Sequence, residues 1–277
     1  MKNCVSGRDP ALHGFCKCSH IYEYDALFKT PRALTDGPIL VFQHPAKGMS
    51  MNPTTERVVL VACRVMEPEL EELRKDRTHV EIQYLEQSLH RTPQKMAGRV
   101  QGLIDDAAAY AGRIVLGYGL CSNGILGVQA RQQELIIPRC HDCISFFLGS
   151  PEAYQKDFDA HPGTYYLTPG WLAERKDPLG IIEDDYVQRV GREMAVWAMK
   201  EELKHYRRIA LIDTGVADIE PLRKRARENA EFFSMSYEEI EGINLEYFVK
   251  LMDGPYTEAE FLRLKPGEVV TQEMFIC

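Results

Sequence analysis

The sequence lacks the long apolar segments and the excess of basic residues that mark two large classes of protein. No apolar run approaches the ~18 residues that a membrane-spanning helix needs, so we expect no membrane partner. Residues 1–4 are not followed by the apolar stretch of a secretory signal, which favours a cytoplasmic location. Acidic residues outnumber basic ones by 41 to 33, and the net charge of −8 argues against a nucleic-acid partner.

The glycine-rich loop that begins at residue 117 also lacks the motifs of nucleotide-binding loops. The residues after Gly124 are apolar where a Walker A loop has Lys and Ser or Thr, and this glycine comes two positions late for G-x-G-x-x-G. Gly117 and Gly119 still permit close approach of the backbone to a ligand. We predict that they belong to a ligand or cofactor site and direct Cys121 and Asn123 into it.

What the sequence does contain is eight cysteines without a visible export signal. In that setting, metal binding or reactive thiols are more common than a disulfide framework. Residues 1–55 are predicted to form an N-terminal extension, and its Cys and His residues match no standard zinc spacing. A flexible or oligomer-forming arm is the favoured interpretation of this segment, which makes a homo-oligomer one of the expected assemblies.

The remaining residues alternate between strand and helix patterns, which is typical of parallel sheets joined by right-handed crossovers. We predict an α/β fold with two Rossmann-like lobes, mainly parallel sheets and a cleft between them. The first lobe covers residues 56–155 and the second covers residues 156–277. Within the second lobe the pattern predicts one helix over 185–206 and a strand over 231–236. The predicted buried stripe of that helix consists of Val187, Val190, Met194 and Trp197.

Three cysteines are predicted to lie at or just past the carboxyl ends of strands, where ligands sit in such sheets. They are Cys63, Cys121 and Cys143. If the strands are neighbours, the three thiols converge and suit Zn²⁺ or an iron–sulfur cluster. His90 or His141 is the candidate fourth ligand or proton carrier. The alternative is that these cysteines are simply buried, because a free cysteine often packs as a small hydrophobic residue.

Two further motifs allow both a functional and a structural interpretation. Cys140 and Cys143 form a C-x-x-C pair, and a helix starting after Cys143 would stabilise a thiolate there through its dipole. Asp142 either orients a catalytic histidine or caps that helix. Tyr165 and Trp171 are candidates for the wall of a cofactor or substrate pocket, although such aromatics are more often core residues.

Three segments resemble the family known as domain of unknown function 1638: LGYGLCSNG, IIPRCHDCISFFLGS and GTYYLTPGW. The resemblance extends over roughly residues 57–267. It implies an α/β protein of bacteria and archaea, without an established activity, that is associated with corrinoid-dependent methyl-transfer systems. The family pattern supports Cys63, His90, Cys121, Asp142 and Cys143, whereas Cys140 and the N-terminal cysteines look particular to this chain.

Together these observations predict a metal–thiolate enzyme, with zinc preferred, that acts on a small molecule. Methyl transfer in corrinoid-linked one-carbon metabolism fits both the metal and the resemblance, with a corrinoid protein or a methyltransferase as partner. The alternatives are an iron–sulfur protein using the same three cysteines, a non-catalytic accessory protein that binds a corrinoid or a metal, and metal-free chemistry with Cys143 as nucleophile. The chain lacks the D-x-H-x-x-G motif of corrinoid-binding proteins, which disfavours cobalt ligation by histidine.

Overall fold

The computed structural model describes residues 57–275, and the predicted N-terminal extension lies outside the described residues. The strands, in chain order, are β1 (Val58–Cys63), β2 (Val80–Leu85), β3 (Arg113–Gly117), β4 (Leu135–Pro138), β5 (Thr164–Leu167), β6 (Arg208–Ile212), β7 (Ser236–Ile240) and β8 (Phe261–Leu264). The α-helices are α1 (Glu67–Arg74), α2 (Pro93–Ala107), α3 (Ile144–Phe147), α4 (Pro151–Ala160), α5 (Pro169–Ala173), α6 (Pro178–Ile181), α7 (Val187–Val190), α8 (Arg192–Glu202), α9 (Ile219–Phe233) and α10 (Glu246–Asp253).

The strands form two sheets. The first has the order β2-β1-β3-β4-β8 and is parallel except for β8, which runs antiparallel to β4. The second has the order β5-β6-β7 and is entirely parallel. The predicted α/β class with mainly parallel sheets is confirmed. The division into two lobes stays a prediction, and β8 returns from the second half of the chain to the first sheet.

Burial of the strands explains why they read as unbroken apolar runs in the sequence. Every residue of β1, β4, β5 and β6 is buried, as expected for parallel strands that are covered on both faces. Helix α2 buries an apolar face whose residues recur at helical spacing, namely Met96, Val100, Ile104 and Ala107. Within residues 57–275, no helix is both long and apolar enough to cross a bilayer.

The prediction of one continuous helix over 185–206 is wrong. A π-helical turn at Ile182–Tyr186 leads into α7, and Gly191, with a φ of 77°, separates α7 from α8. The break shifts the phase of the second helix, so its buried face consists of Ala195, Ala198, Met199 and Glu202. Met194 and Trp197, predicted to be buried, are instead 48% and 50% exposed.

The predicted strand over 231–236 is also wrong. Residues 231–233 form the last turn of α9, whose buried residues Ala226, Asn229 and Ala230 recur at helical spacing. The helix ends at Ser234, which adopts the left-handed conformation, and β7 begins two residues later. The aromatic pair Phe232-Phe233 resembles a strand in composition but belongs to the helix.

The carboxyl ends of the two sheets meet. Gly170, just past β5, packs so closely on the segment after β1 that a side chain there would overlap the carbonyl oxygen of Val65. Thr214, just past β6, donates a hydrogen bond from its hydroxyl to Glu69 Oε1 in α1, at 2.7 Å. The strand-end loops of both sheets therefore face one seam, which we define by Val65, Glu69, Gly170 and Thr214 and call the carboxyl seam.

Candidate functional site

Cys63 and His90 form a buried pair at the carboxyl edge of the first sheet. Cys63 is the last residue of β1, and His90 lies in the 3₁₀ turn Gln87–Arg91 that follows the neighbouring parallel strand β2. Because parallel strands end at the same edge, the turn after β2 comes to lie beside the end of β1. The Cys63 Sγ and His90 Nε2 atoms are 3.5 Å apart, and both residues are buried.

The loops after β3 and β4 pair with each other and carry the other two predicted thiols. The Leu120 amide donates to the Cys140 carbonyl and the Cys121 amide to the His141 carbonyl, each at 2.9 Å. Gly119 is required by this pairing, since a Cβ atom there would lie 2.6 Å from the Cys140 oxygen. The close backbone approach that the glycine predicts is therefore an approach to the neighbouring loop.

Gly117, the other glycine predicted to approach a ligand, serves sheet packing in the same way. A Cβ atom at this position would lie 2.9 Å from the Cβ of Ala62 in the adjacent strand β1. The two glycines thus set the spacing of the strand ends on which the thiols are mounted.

The turn that presents Cys121 is strained. Cys121, Ser122 and Asn123 follow one another in the left-handed region, with φ values of 47°, 55° and 66°. For residues with a Cβ atom this conformation costs about 1–2 kcal/mol each, and it is normally visited by single residues. Such strain is concentrated at functional sites, which makes this turn a functional candidate.

Tyr118 lies among the three thiols and was not singled out from the sequence. It is buried, and its ring stacks on that of His90 with centroids 6.2 Å apart. Burial raises its pKa well above the ordinary value, and the sulfur atoms of Cys63, Cys121 and Cys143 raise it further. Its hydroxyl interacts with the Cys63 thiol, although this contact does not reach full hydrogen-bond geometry. In the sequence, the one indication that Tyr118 belongs to the site is its position between Gly117 and Gly119.

Burial decides the protonation states of these groups. It raises the pKa of Cys63 to about 12 and lowers the pKa of His90 to about 4. The pKa of Cys143 is raised well above its usual value, by burial first and then by the nearby Cys121 and Cys63. The predicted dipole stabilisation of a Cys143 thiolate is outweighed, because α3 spans only four residues in a fully buried setting. At neutral pH, Cys63 and Cys143 are thiols and His90 is a neutral imidazole.

The remaining predicted site residues divide into buried and exposed ones. His141 and Asn123 are exposed, so of the two candidate histidines only His90 meets a thiol. Asp142 accepts a hydrogen bond from the Ile144 amide at 3.0 Å, which is the capping role. The cysteines at positions 63, 121, 140 and 143 are all buried thiols rather than disulfides.

Tyr165 and Trp171 are buried and contribute mainly to packing. The Tyr165 hydroxyl donates to the Lys176 carbonyl at 3.1 Å, and its ring contacts Tyr206 with centroids 5.6 Å apart. Trp171 is buried in α5, but its indole Nε1 has no hydrogen-bond partner among the described residues. The core interpretation fits Tyr165, whereas Trp171 retains an unpaired donor.

Four side chains near the thiol loops have a buried oxygen atom without full hydrogen-bond geometry to any partner in the described part of the chain: Gln87, Tyr118, Ser122 and Ser145. Each lies within three residues of His90, Cys121 or Cys143. Buried polar groups without partners cost about 1–3 kcal/mol each, and such groups often mark the position of a water, ion or ligand.

A ready-made metal cage is not present in residues 57–275, where no group of three or more His, Cys, Asp or Glu side chains is arranged to hold a metal ion. The distance between Cys63 and His90 does fit two ligands of one zinc ion. Two ligands of a tetrahedral zinc ion, with Zn–S near 2.3 Å and Zn–N near 2.0–2.1 Å, lie about 3.5 Å apart. The donor chemistry suits zinc, and Cys121 and Cys143 would have to move inward to complete the set.

The fold and the site define an α/β protein with a buried cluster of thiols, one imidazole and one phenol at the carboxyl edge of its larger sheet. The chain belongs to the family described as protein of unknown function (DUF1638), whose model matches residues 84–252. The match includes His90, Cys121 and Cys143, whereas Cys63 precedes it. Comparison with curated proteins and with solved structures finds no match for this chain.

Proposed function

We propose that the protein holds a metal ion, with zinc preferred, on Cys63, Cys121, Cys143 and His90, and that it is an enzyme acting on a small molecule. The observation that carries the proposal is the 3.5 Å separation of Cys63 Sγ and His90 Nε2, the spacing of two ligands on one tetrahedral ion. Sulfur and imidazole nitrogen are the donors that zinc favours. The neutral state of His90 leaves its ring nitrogen able to bind a metal.

Metal binding in this site would couple to proton release and to an inward movement of the loops that carry Cys121 and Cys143. The thiols of Cys63 and Cys143 are protonated in the metal-free protein, so a divalent ion must displace their protons. Three thiolates and one divalent cation leave one excess negative charge. The Tyr118 hydroxyl, which already interacts with the Cys63 thiol, would donate a hydrogen bond to that charge.

The reaction class that fits this donor set is transfer of a methyl group from or to a small molecule. Bound zinc would lower the pKa of a coordinated thiol or water and so supply a nucleophile near neutral pH. Because four protein ligands close a tetrahedral site, His90 would have to leave the ion for that thiol or water to bind. The resemblance to the family implies a link to corrinoid systems, so the partner in this proposal is a corrinoid protein or a methyltransferase and the compartment is the cytoplasm.

The test is elemental analysis with an ultraviolet–visible spectrum on the full chain, purified without oxygen. Cys4, Cys16 and Cys18 are first replaced by Ser, so that the N-terminal thiols cannot bind metal. We expect about one zinc per chain and no visible absorbance. Iron with a broad band near ~400 nm would instead indicate the iron–sulfur alternative. Absence of metal would contradict the proposal and leave a thiol nucleophile or a non-catalytic binding protein.

Single replacements then distinguish the cysteines that bind the metal from those that do not. Cys63→Ser and Cys143→Ser are each expected to reduce bound zinc and to lower stability. Cys140→Ser is the matched control, because Cys140 is also a buried thiol of the same loop pair but lies outside the proposed ligand set. A Cys143→Ser protein that keeps its metal and loses turnover would make Cys143 a nucleophile instead of a ligand.

A further inference from the structure

Glu69 is a buried carboxyl group that the thiol cluster does not use. It lies in the first turn of α1, just after the 3₁₀ turn that follows β1, and is fully buried. Its Oε1 atom accepts the hydrogen bond from the Thr214 hydroxyl at 2.7 Å, and its Oε2 atom has no partner in the described part of the chain. Burial raises its pKa to about 7.

Glu69 differs from the other carboxylates of its helix in having no cationic partner. Glu67 pairs with Arg64 at 3.4 Å. Farther along the helix, Glu71 pairs with Arg74 at 2.6 Å and Glu72 with Lys75 at 2.5 Å. Among residues 57–275 no Lys, Arg or His side chain forms an ion pair with Glu69, which is the fully buried one of the four.

The second oxygen of Glu69 has no hydrogen-bond partner among the described residues. An ionised carboxylate buried without a counter-charge costs several kcal/mol. Protonation removes the charge, but a buried oxygen left without a partner still costs about 1–3 kcal/mol. A bound group that is cationic and donates a hydrogen bond would remove both costs.

The position of Glu69 is one where α/β proteins bind ligands. It lies at the carboxyl seam, where Thr214 from beyond β6 and Gly170 from beyond β5 meet the first sheet. The facing helix α5 contributes Trp171, whose buried indole N–H is also unpartnered among the described residues. An indole face is favourable for an organic cation as well.

We propose that Glu69 anchors a binding site for a small organic ammonium ion at the carboxyl seam, with Thr214 orienting the carboxylate and Trp171 as the aromatic neighbour from α5. The inference deepens the proposed function, on which it rests for the claim that this ion is the substrate. Binding itself requires only the residues of the seam.

The test is calorimetric titration of the full chain with ethylammonium chloride, together with its melting temperature. Sodium chloride and ethanol at equal concentrations serve as probes without the ammonium group. We expect saturable binding and a raised melting temperature with ethylammonium alone. Glu69→Gln keeps an oxygen for Thr214 and is expected to weaken binding about 10- to 100-fold, the loss of a hydrogen bond to a charged group. Glu67→Gln, in the same helix turn, should bind as the native protein does.

Two results would overturn the proposal. One is a native protein that ethylammonium neither binds nor stabilises, which decides the question even if Glu69→Gln does not fold. The other is equal binding by the native protein and Glu69→Gln. Titrations with and without a zinc chelator separate this proposal from the previous one. Ammonium binding that persists in the chelator would show that the Glu69 site does not depend on metal, whereas a protein that holds zinc but binds no ethylammonium would overturn the Glu69 site alone.

Discussion

Tyr118 interacts with each part of the thiol cluster. Its ring stacks on His90, and its hydroxyl interacts with the Cys63 thiol and lies close to the sulfur atoms of Cys121 and Cys143. Replacement Tyr118→Phe removes that hydroxyl and, in the metal-free protein, only this weak interaction with the Cys63 sulfur. We therefore expect the metal-free protein to keep its stability or gain about 1 kcal/mol, while zinc affinity falls about tenfold because the negative centre loses a donor. Thermal unfolding and competition with a chelator measure the two effects.

A matched control for this prediction is Tyr247→Phe. Tyr247 is also a buried tyrosine, and its hydroxyl has no hydrogen-bond partner in residues 57–275, but its ring packs against Phe146 and Phe261. It should leave zinc affinity unchanged. Equal zinc affinities for native protein and Tyr118→Phe would show that the phenol is only a packing group.

Glu69 predicts a characteristic dependence of stability on pH. Its pKa is about 7 in the folded protein against 4.5 for the ordinary value, so between these pH values the folded state holds a proton that the unfolded state has released. The free energy of unfolding therefore falls as pH rises from about 4.5 to 7 and levels off above, by up to roughly 3 kcal/mol from this group. Glu69→Gln should lack this component in urea unfolding at pH 5 and pH 8. An unchanged difference between the two pH values would exclude Glu69 as its source.

At the scale of elements, Gly191 separates two helices that the sequence pattern joins. Its φ of 77° and ψ of 164° lie in a region that is nearly restricted to glycine, and a Cβ atom there would meet nothing within 4 Å. Gly191→Ala should therefore lower the free energy of unfolding by about 1–3 kcal/mol through the backbone alone. Gly98→Ala is the control, since Gly98 lies inside α2 with equal space and should gain about 0.5–1 kcal/mol. Equal effects in urea unfolding would contradict the helix break.

The same element shows where sequence periodicity succeeds and fails. The apolar face of α2 was predictable because no residue interrupts its helical phase. The helix over 185–206 could not be predicted, because the backbone conformation of Gly191 interrupts it. The interruption changes which face of the following helix is buried and leaves Trp197 exposed. Likewise Phe232-Phe233 favours a strand locally, but the buried face of α9 keeps both residues helical.

For the site as a whole, the sequence could predict which residues lie at the sheet edge but not their contacts or their protonation. Cys63 and the turn of His90 were predictable as neighbours, because parallel strands end at one edge of a sheet. The roles of Tyr118 and Glu69 could not be predicted, since they depend on which groups face them after folding. The protonation of Cys143 was misjudged for the same reason, because burial outweighs the dipole of a four-residue helix.

The whole molecule ties its two sheets together at more than one place. The carboxyl seam joins them through Glu69 and Thr214, and β8 returns the chain to the first sheet, where Arg263 pairs with Glu134 at 2.8 Å. Inward movement of Cys121 and Cys143 is the change that metal binding would require of this arrangement.

Titration of the metal-free chain with Co²⁺ is the most direct measurement of that change, because cobalt reports both geometry and sulfur ligation. It is performed without oxygen on the protein that lacks Cys4, Cys16 and Cys18. We predict one Co²⁺ per chain, the intense visible bands of a tetrahedral ion and a sulfur-to-cobalt charge-transfer band, all lost in Cys63→Ser and retained in Cys140→Ser. Weak octahedral bands, no sulfur charge transfer, or a spectrum that survives Cys63→Ser would contradict the metal–thiolate centre.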